Sequence, residues 1–313
     1  RIWGLSVIRW SDGKYHGYYG RWPKDLGHDG WLTDTEIVHS VADRPEGPFV
    51  PTGVVLVSRN ASGWDLANAH NSYAIVAEGK ICLYYISNKL AGKSEPVGSN
   101  PLPTDQWLRD KARNWKTIRN SQCIGVAIAD RPEGPFVRAA KPVVEPSADQ
   151  PFTNIAVNPA VLFRNGRYVM VMKGDDRARS NESRWFRIQL VGHSVRPEGP
   201  FAFQTRPVYS ERQTEDAGLF YNQHDQRYFM VCHVMGTRNL ALFKSQDSYK
   251  WAPADQRVLM QKQVQLEDGT VWNPRRVERP FVLTENGRPT MLYVAVADKD
   301  RNGNIAIPLE VKR

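Results

Sequence analysis

The chain has 313 residues, a formal net charge of +9 and an isoelectric point near 9.5. No apolar run approaches the length of a membrane span, and no basic stripe or nucleic-acid-binding motif is visible, so we expect neither a membrane nor a nucleic acid as a partner. The three cysteines lie in separate strand-like segments, and their odd number favours buried thiols over a disulfide framework or a metal cluster. The positive charge is typical either of a solvated basic surface or of a protein with an anionic partner.

A hairpin-turn motif recurs five times along the chain, with glycine in four copies and Gln226 in the place of glycine in the other. Each copy follows an apolar run and precedes an aromatic or β-branched run, which is the pattern of two antiparallel strands joined by a tight turn. The copies are Asp12-Gly13-Lys14-Tyr15, Glu78-Gly79-Lys80-Ile81, Asn165-Gly166-Arg167-Tyr168, Asp225-Gln226-Arg227-Tyr228 and Asn286-Gly287-Arg288-Pro289. Five copies over the whole length predict a repeat architecture.

A second turn motif marks the other end of the repeat. The phrase Arg-Pro-Glu-Gly-Pro-Phe occurs at 44–49, 131–136 and 196–201. Proline presets φ and glycine permits positive φ, so this phrase predicts a tight turn between two further strands. The only helix candidate is 104–113, with Thr104 as its N-cap.

The predicted unit is therefore strand, glycine turn, strand, variable loop, strand, Arg-Pro-Glu-Gly-Pro turn, strand. Four strands in about 60 residues make one blade of a β-propeller. We expect residues 1–313 to form a single all-β domain, a five-bladed β-propeller with four antiparallel strands per blade. The rival α/β barrel needs eight helical stretches, which the sequence lacks.

Polar residues recur at the start of each predicted innermost strand, where they would face a central funnel. Loops on one face of a rigid scaffold commonly carry function. This first set contains Asp65, His70, Asn71, Asn158, Glu215, Asp216, Arg276, Glu278 and Arg279. A second set from the loops between second and third strands contains Arg21, Trp22, His28, Trp31, Lys173, Asp176, His233 and the segment Asp298-Lys299-Asp300, with the basic insertion around Lys93 beside it.

Aromatic residues accompany these polar positions. Flat rings together with carboxylates and amides suit a sugar, because rings stack on C–H faces while polar groups bind hydroxyls. We expect Trp22, Trp31, Trp64 and Trp272 at the funnel. We expect Trp10, Trp115, Trp185 and Trp251 to pack between blades.

The combination of motifs resembles the five-bladed glycoside hydrolases of families 43 and 117, and family 117 more closely. The residues that carry the resemblance include Arg21-Trp22-Pro23-Lys24, Glu36-Ile37-Val38-His39-Ser40 and the repeated turn phrase. The resemblance implies an exo-acting hydrolase of oligosaccharides such as those from marine galactans. It also implies carboxylates at innermost-strand starts as general base, general acid and a third group that orients the acid, with a histidine proposed as the acid in family 117.

On that basis Glu215, Asp216, Glu278 and His70 are the catalytic candidates, and the other funnel residues of the two sets are substrate-binding candidates. Each candidate has a structural alternative: a loop carboxylate paired with Arg212, a salt bridge between Glu278 and Arg276 or Arg279, or a histidine that only supports its loop. The chain departs from the family pattern, because blade one offers no aspartate near Trp3 and blade three offers Asn158 in place of a carboxylate.

Three functions stay open at this point. The first is general acid/base hydrolysis of an oligosaccharide, neutral or anionic, in the funnel. The second is a polysaccharide lyase acting on a uronate, and the third is a non-catalytic sugar-binding propeller. For the hydrolase we expect no required cofactor, although a divalent cation could bind in the central channel. We expect an oligosaccharide as the partner and a periplasmic or secreted location. A homodimer is compatible with this prediction.

Overall fold

A computed structural model describes residues 1–92, 96–97, 100–181, 183–299 and 301–310. Lys93 and Asp300, which the sequence placed near the funnel, lie outside these residues. Within the described ranges no helix has the length and apolarity needed to cross a membrane.

The strands form five successive antiparallel sheets. The first contains β1 (Ile2–Arg9), β2 (Tyr15–Arg21), β3 (Glu36–Ala42) and β4 (Val50–Leu56). The second contains β5 (Ala67–Ala77), β6 (Lys80–Asn88), β9 (Gln122–Ala129) and β10 (Val137–Arg138). The third contains β11 (Phe152–Arg164), β12 (Arg167–Asp176), β13 (Arg187–Ser194) and β14 (Ala202–Phe203), and the fourth β15 (Thr214–Asn222), β16 (Arg227–Val234), β17 (Asn239–Ser245) and β18 (Trp251–Gln261). The fifth contains β21 (Arg276–Glu285), β22 (Arg288–Ala297) and β23 (Asn302–Pro308), which are its three strands in the described part of the chain.

The remaining elements are short. An insertion in the second sheet carries the hairpin β7 (Pro96–Val97) and β8 (Asn100–Pro103), then α1 (Asp105–Arg109) and α2 (Lys111–Arg119). A hairpin of β19 (Val264–Gln265) and β20 (Val271–Trp272) precedes the fifth sheet. Two 3-10 turns, Lys24–Leu26 and Asp29–Leu32, lie between β2 and β3.

The five sheets are the blades of a propeller, as the repeats predicted. The innermost strands β1, β5, β11, β15 and β21 each pack against the next, and β21 packs against β1 to close the circle. Every glycine turn joins a first strand to a second, and every Arg-Pro-Glu-Gly-Pro turn joins a third strand to a fourth. One apolar core runs through all five blades, and Tyr73 in β5 donates its hydroxyl to the Leu219 carbonyl in β15 at 3.0 Å.

The repeated proline turn has a second role besides reversing the chain. A buried tyrosine on the second strand of the preceding blade donates its hydroxyl to the carbonyl of the turn's first proline. Tyr18 bonds Pro132 at 2.8 Å, Tyr84 bonds Pro197 at 2.9 Å, and Tyr293 bonds Pro45 at 2.6 Å. A buried phenolic hydroxyl needs such a partner, so each turn links its blade to the one before it.

The predicted helix is present in a different form. Thr104 caps α1 by accepting the Trp107 amide, which confirms the predicted N-cap. The helix then breaks at Asp110, whose side chain accepts the Arg113 amide and starts α2, and α2 continues to Arg119. The single helix 104–113 was therefore wrong in its end point, because Asp110 is a better cap than a helix-interior residue.

Candidate active site

A β-bulge interrupts each innermost strand at the same level of the propeller. The register shifts there, and one residue adopts a left-handed backbone conformation with φ of +50° to +70°. These residues are Gly4, Asn71, Asn158, Asp216 and Arg279. Glycine, asparagine and aspartate tolerate this conformation, whereas a long side chain does not, so Arg279 holds local strain of the kind that marks functional sites.

The last four of these residues form a closed hydrogen-bonded ring through side-chain and backbone groups, called here the polar ring. Asn71 Nδ2 donates to Asn158 Oδ1 at 3.0 Å, and Asn158 Nδ2 donates to Asp216 Oδ1 at 2.5 Å. The Arg279 amide donates to Asp216 Oδ2 at 3.3 Å, and Arg279 Nη2 donates to the Asn71 carbonyl at 3.1 Å. Gly4 completes the circle without a side chain, lying against Arg279.

A cavity of about 610 Å³ opens around the polar ring. It lies where the sequence placed the funnel, among innermost-strand residues and loops that join second to third strands. Its lining includes these predicted site residues: His28, Trp31, Asn71, Asn158, Lys173, Glu215, Asp216, His233, Arg276, Glu278 and Arg279. The structure therefore brings together eleven of the predicted site residues.

Five predicted site residues do not line the cavity, and four of these, Asp65, Asp176, Arg21 and Trp22, form hydrogen bonds or ion pairs elsewhere. Asp65 is buried in blade two, where it pairs with Arg138 and accepts the Tyr85 hydroxyl at 2.8 Å. Asp176 accepts the Arg179 guanidinium at 2.6 Å. These contacts satisfy both carboxylates, so neither stands free to meet a substrate as expected.

Arg21 and Trp22 likewise serve the loop after β2. Arg21 donates to Glu36 at 2.5 Å on the exposed surface. The Trp22 ring is buried, and its indole N–H bonds the Gly27 carbonyl at 2.9 Å. Trp22 thus supports the loop that carries His28 and does not itself line the cavity.

His70 also lies outside the cavity lining. It is fully buried and its ring lies 5.2 Å from that of Trp31. Burial, with the nearby positive charge of Arg279, lowers the pKa of His70 to about 3. A neutral, enclosed imidazole cannot deliver a proton to a substrate, so the position of His70 argues against the acid role and for support of Trp31.

Glu215 and Asp216 both reach the cavity, although they are adjacent in the chain. In a regular strand, neighbouring side chains point to opposite faces. The bulge between Glu215 and Gly218, with Asp216 at φ +55°, breaks that alternation. Bulges commonly re-aim side chains beside active sites in this way.

Glu215 is held ionised by two cations. Lys173 Nζ and Arg187 Nη1 each lie 3.0 Å from Glu215 Oε1. Burial alone would raise the pKa of Glu215, but Lys173 and Arg187 outweigh it and bring the pKa to about 2. A carboxylate this acidic is a weak base and a strong counterion.

Glu278 has the opposite electrostatics. Burial and then the negative charge of Asp216 raise the pKa of Glu278, while Arg276, bonded to it at 2.9 Å, opposes the rise. Glu278 therefore holds its proton to a higher pH than Glu215 does. Carboxyl groups whose environments separate their pKa values in one pocket are the arrangement that acid/base chemistry uses.

Two histidines of the cavity lining, His28 in the loop after β2 and His233 near the end of β16, are neutral. Burial lowers the pKa of His28 to about 4, and His28 packs edge-on against Trp3 with ring centroids 5.4 Å apart. Burial also lowers the pKa of His233, whose Nε2 lies 3.1 Å from the Thr237 carbonyl. Both side chains are suited to hydrogen bonding rather than to carrying charge.

Sequence reasoning misplaced several aromatic residues. Trp115 and Trp185 line the cavity instead of packing between blades, together with Trp3 and Trp31. Trp115 meets Trp31 edge-on at 6.2 Å, and the Arg119 guanidinium stacks on Trp185 at 3.9 Å. Both misplaced residues lie between a second and a third strand, a position in the repeat that could have identified them.

Trp64, expected at the funnel, instead stacks on Tyr85 in the second blade. Its indole N–H bonds the Ala139 carbonyl at 3.3 Å. Several cationic residues of the lining were not predicted, and these are Arg119, Arg187, Lys262 and Arg275. Arg119 and Arg187, like Trp185, come after the second strand of their blade, and this position in the repeat could have identified them. No repeated motif marks Lys262 and Arg275, which flank the hairpin of β19 and β20.

No family model and no curated protein matches the chain. A family 117 glycoside hydrolase from the marine bacterium Zobellia galactanivorans superposes with a TM-score of 0.64 at 15% identity, covering 97% of this chain and 83% of that one. An endo-arabinase from Bacteroides thetaiotaomicron superposes at 0.62 and 10% identity, covering 100% and 95%.

A third structure, a family 43 enzyme from Xanthomonas citri, superposes at 0.61 and 15% identity, covering 99% of this chain and 88% of that one. The chain has the fold of the five-bladed glycoside hydrolases. The resemblance expected from the sequence motifs is thereby confirmed for the fold. At such low identity the activity has to be argued from the cavity itself.

Proposed function

We propose that the protein is a glycoside hydrolase that removes sugars from the end of an oligosaccharide bound in the central cavity. The observation that carries the proposal is that Glu278 and Asp216 line the same cavity, where burial and the negative charge of Asp216 raise the pKa of Glu278. Glycoside hydrolysis needs one carboxylic acid that is protonated and one carboxylate that is not.

Glu278 is the general acid in this proposal. Its proton passes to the oxygen of the scissile glycosidic bond as that bond breaks, so the leaving sugar departs as an alcohol. Arg276, 2.9 Å from Glu278, then stabilises the carboxylate that forms.

Asp216 is the base that activates water. The Asn158 amide and the Arg279 backbone N–H fix its orientation. Glu215 is less suitable, because its two cations make it the weaker base. In this assignment Glu215 positions Lys173 and Arg187 in the wall of the cavity and takes no part in proton transfer.

The shape of the site favours attack at a chain end. The polar ring occupies the middle of the propeller, and Trp115 from the insertion together with Trp185 contributes to the wall. A cavity of about 610 Å³ is within the range of small-molecule sites and takes a few sugar units at most. Aromatic walls with polar groups between them suit terminal sugars.

The test of the base uses Asp216→Asn, with Asp149→Asn on the exposed surface as the matched control. On an oligosaccharide that the wild type cleaves, we expect Asp216→Asn to lose ~10²–10⁴-fold in kcat. Asp216→Gly tolerates the positive φ and leaves the position of the carboxylate empty, so added formate should restore part of its rate. Full activity in Asp216→Asn, or no rescue of Asp216→Gly by formate, would remove Asp216 from this role.

A uronate lyase is the second candidate, favoured by one observation. The cavity lining holds more cations than carboxylates, and a lyase needs cations to neutralise the uronate carboxyl group. Its product would carry a double bond that absorbs in the ultraviolet, whereas the hydrolase product is saturated. A sugar-binding propeller without activity would bind oligosaccharides and release neither product.

A divalent cation in the central channel stays a proposal without a defined ligand set. Within the described ranges, no three His, Cys, Asp or Glu side chains are grouped as a metal site. Asp216, the acidic member of the polar ring, is engaged by Asn158 and Arg279. The proposed chemistry uses only the side chains named above.

A further inference from the structure

The cavity carries more positive than negative charge. Seven cationic residues line it, Arg119, Lys173, Arg187, Lys262, Arg275, Arg276 and Arg279, against the four acidic residues Asp29, Glu215, Asp216 and Glu278. The excess is three charges even with all four carboxylates ionised. It is larger when Glu278 is protonated, as the proposed reaction requires.

Most of these cations already have a carboxylate partner. Lys173 and Arg187 share Glu215, and Arg276 holds Glu278. The charge of Arg119 is neutralised by a residue that is not part of the lining, because Arg119 forms a bidentate pair with buried Asp175 at 2.7 and 2.9 Å.

Lys262 differs from the paired cations. Only 7% of the residue is exposed, yet it lines the cavity. Its backbone groups bond Arg238, but its ammonium group has no hydrogen bond or ion pair with any residue in the part of the chain that the structure describes. Burial lowers the pKa of Lys262, and the negative charges of Glu278 and Asp216 oppose this without forming an ion pair with it. An anion that enters the cavity therefore meets an ammonium group that has no bound counterion.

Arg279 gives a second, independent sign of the same preference. The residue is 5% exposed, and its Nε and Nη1 groups are buried without a hydrogen-bond partner. Its ion pair with Asp216 is long, at 3.8 Å. Unsatisfied guanidinium donors beside a cavity match the oxygens of a carboxylate or a sulfate group.

We propose that the cavity binds a sugar residue bearing an anionic group, a carboxylate or a sulfate ester, with Lys262 as the principal ligand of that group and the Arg276 and Arg279 guanidiniums flanking it. This inference rests on the proposed function, since it names the substrate class of the same site. A neutral sugar would offer the Lys262 ammonium only hydroxyl oxygens, whereas an anionic sugar would supply the counterion that it lacks.

The test measures binding by titration calorimetry at low millimolar sugar concentration. The probes are D-galacturonic acid and D-galactose 6-sulfate against D-galactose, and D-glucuronic acid and D-glucose 6-sulfate against D-glucose. The variants are Lys262→Met, which removes the charge and keeps the stem, Lys262→Arg, which keeps the charge, and Lys80→Met as control. Lys80, at the start of β6, is half exposed and pairs with Asp130. Lys80→Met therefore changes the net charge by the same amount as Lys262→Met.

We expect at least one anionic sugar to bind ~10-fold or more tightly than its neutral parent. Lys262→Met should abolish that preference, while Lys262→Arg and Lys80→Met retain it, with melting temperatures confirming that all variants fold. A preference for the uronic acids identifies a carboxylate as the group, and a preference for the 6-sulfates identifies a sulfate ester.

Equal binding of anionic and neutral sugars, or a preference that survives in Lys262→Met, would overturn the inference. The proposed function is judged separately, by turnover. If only neutral oligosaccharides are hydrolysed, the anionic-sugar inference is wrong and the hydrolase proposal stands. If anionic sugars bind preferentially but no oligosaccharide is hydrolysed, the hydrolase proposal is wrong and the binding preference stands.

Discussion

Asn158 donates its side-chain N–H to the Asp216 carboxylate at 2.5 Å, across the junction between the third and fourth blades. Both residues sit at the same bulge of their innermost strands, in the left-handed conformation. The family resemblance implied a carboxylate at the position of Asn158, and an amide there turns a repulsive pair into a hydrogen bond. The polar ring is thus built around a single acidic side chain.

Replacing Asn158 by aspartate should expose this relationship. Asn158→Asp keeps a residue that tolerates φ of +54° but places two carboxylates in contact. Their repulsion should raise the pKa of the pair and cost about 1–3 kcal/mol at pH 7, a cost relieved as the pH falls and one carboxyl takes a proton. Thermal unfolding at pH 7 and pH 4 measures this, with exposed Asn165→Asp, also at positive φ, as control. Equal melting temperatures for Asn158→Asp and wild type at pH 7 would refute it.

Glu278→Gln tests the acid. We expect a ~10²–10⁴-fold loss of kcat on a natural oligosaccharide, because the leaving sugar then departs without a proton. A nitrophenyl glycoside of the same sugar should lose far less, since its leaving group needs no protonation. The steady-state rates of the two substrates are to be compared, with exposed Glu267→Gln as control. A similar loss on both substrates would be incompatible with an acid role.

The pH profile should move when Arg276 is replaced. Activity needs protonated Glu278, so it is present below the pKa of that carboxyl group and lost above it. Arg276 lowers this pKa, so Arg276→Gln should raise it and shift the alkaline limb of kcat to higher pH. Exposed Arg257→Gln serves as the comparison. An alkaline limb that stays in place, or moves to lower pH, would disprove the link between Arg276 and Glu278.

Glu215 should contribute to resistance against acid. Its pKa is about 2 in the folded protein against an ordinary 4.5, so its contribution is complete above about pH 4.5 and disappears as the pH falls toward 2. Glu215→Gln should therefore destabilise the protein by a few kcal/mol (order of magnitude) at pH 6, because Lys173 and Arg187 lose their counterion. The difference in melting temperature between variant and wild type should narrow from pH 5 to pH 2.5. A difference that stays constant over that range would contradict the account.

Arg119 should hold the insertion against the third blade. Asp175 is fully buried, so Arg119→Met leaves its carboxylate without a counterion and with the Asn154 amide as its remaining partner, at a cost of about 3–5 kcal/mol. Asp175→Asn in the same chain should recover part of that loss, which chemical denaturation of the single and double variants measures. A strictly additive double variant would show that the pair is not coupled.

The blades were predictable because their signals are local. Gly13 and its counterparts, and the proline turns, determine chain reversal within a few residues, and their spacing sets the number of blades. The polar ring was predictable only in part: Asn158, Asp216 and Arg279 stand out as polar residues beside apolar strands, but the positive φ of Arg279 does not follow from its residue type. Left-handed geometry there depends on the bulge, which forms only when neighbouring strands pair.

Predictions of site residues were wrong where distant segments of the chain determine the surroundings of a residue. Asp65 had the same local pattern as Asp216, but Arg138, which lies 73 residues further along the chain, pairs with it. Lys262 carried no signal, because it becomes part of the cavity only when the fourth and fifth blades meet. Burial and charge pairing are tertiary properties, and residue type beside a strand does not determine them.

The most direct test of the central claim is the mass of the products. The purified protein is incubated with panels of neutral, uronate-containing and sulfated oligosaccharides, and the fragments are analysed by mass spectrometry. A glycoside hydrolase with Glu278 as acid and Asp216 as base yields fragments whose masses sum to the parent plus one water, with a terminal sugar released first. Fragments that sum to the parent mass, one of them unsaturated, or binding of an oligosaccharide without cleavage, would contradict the account.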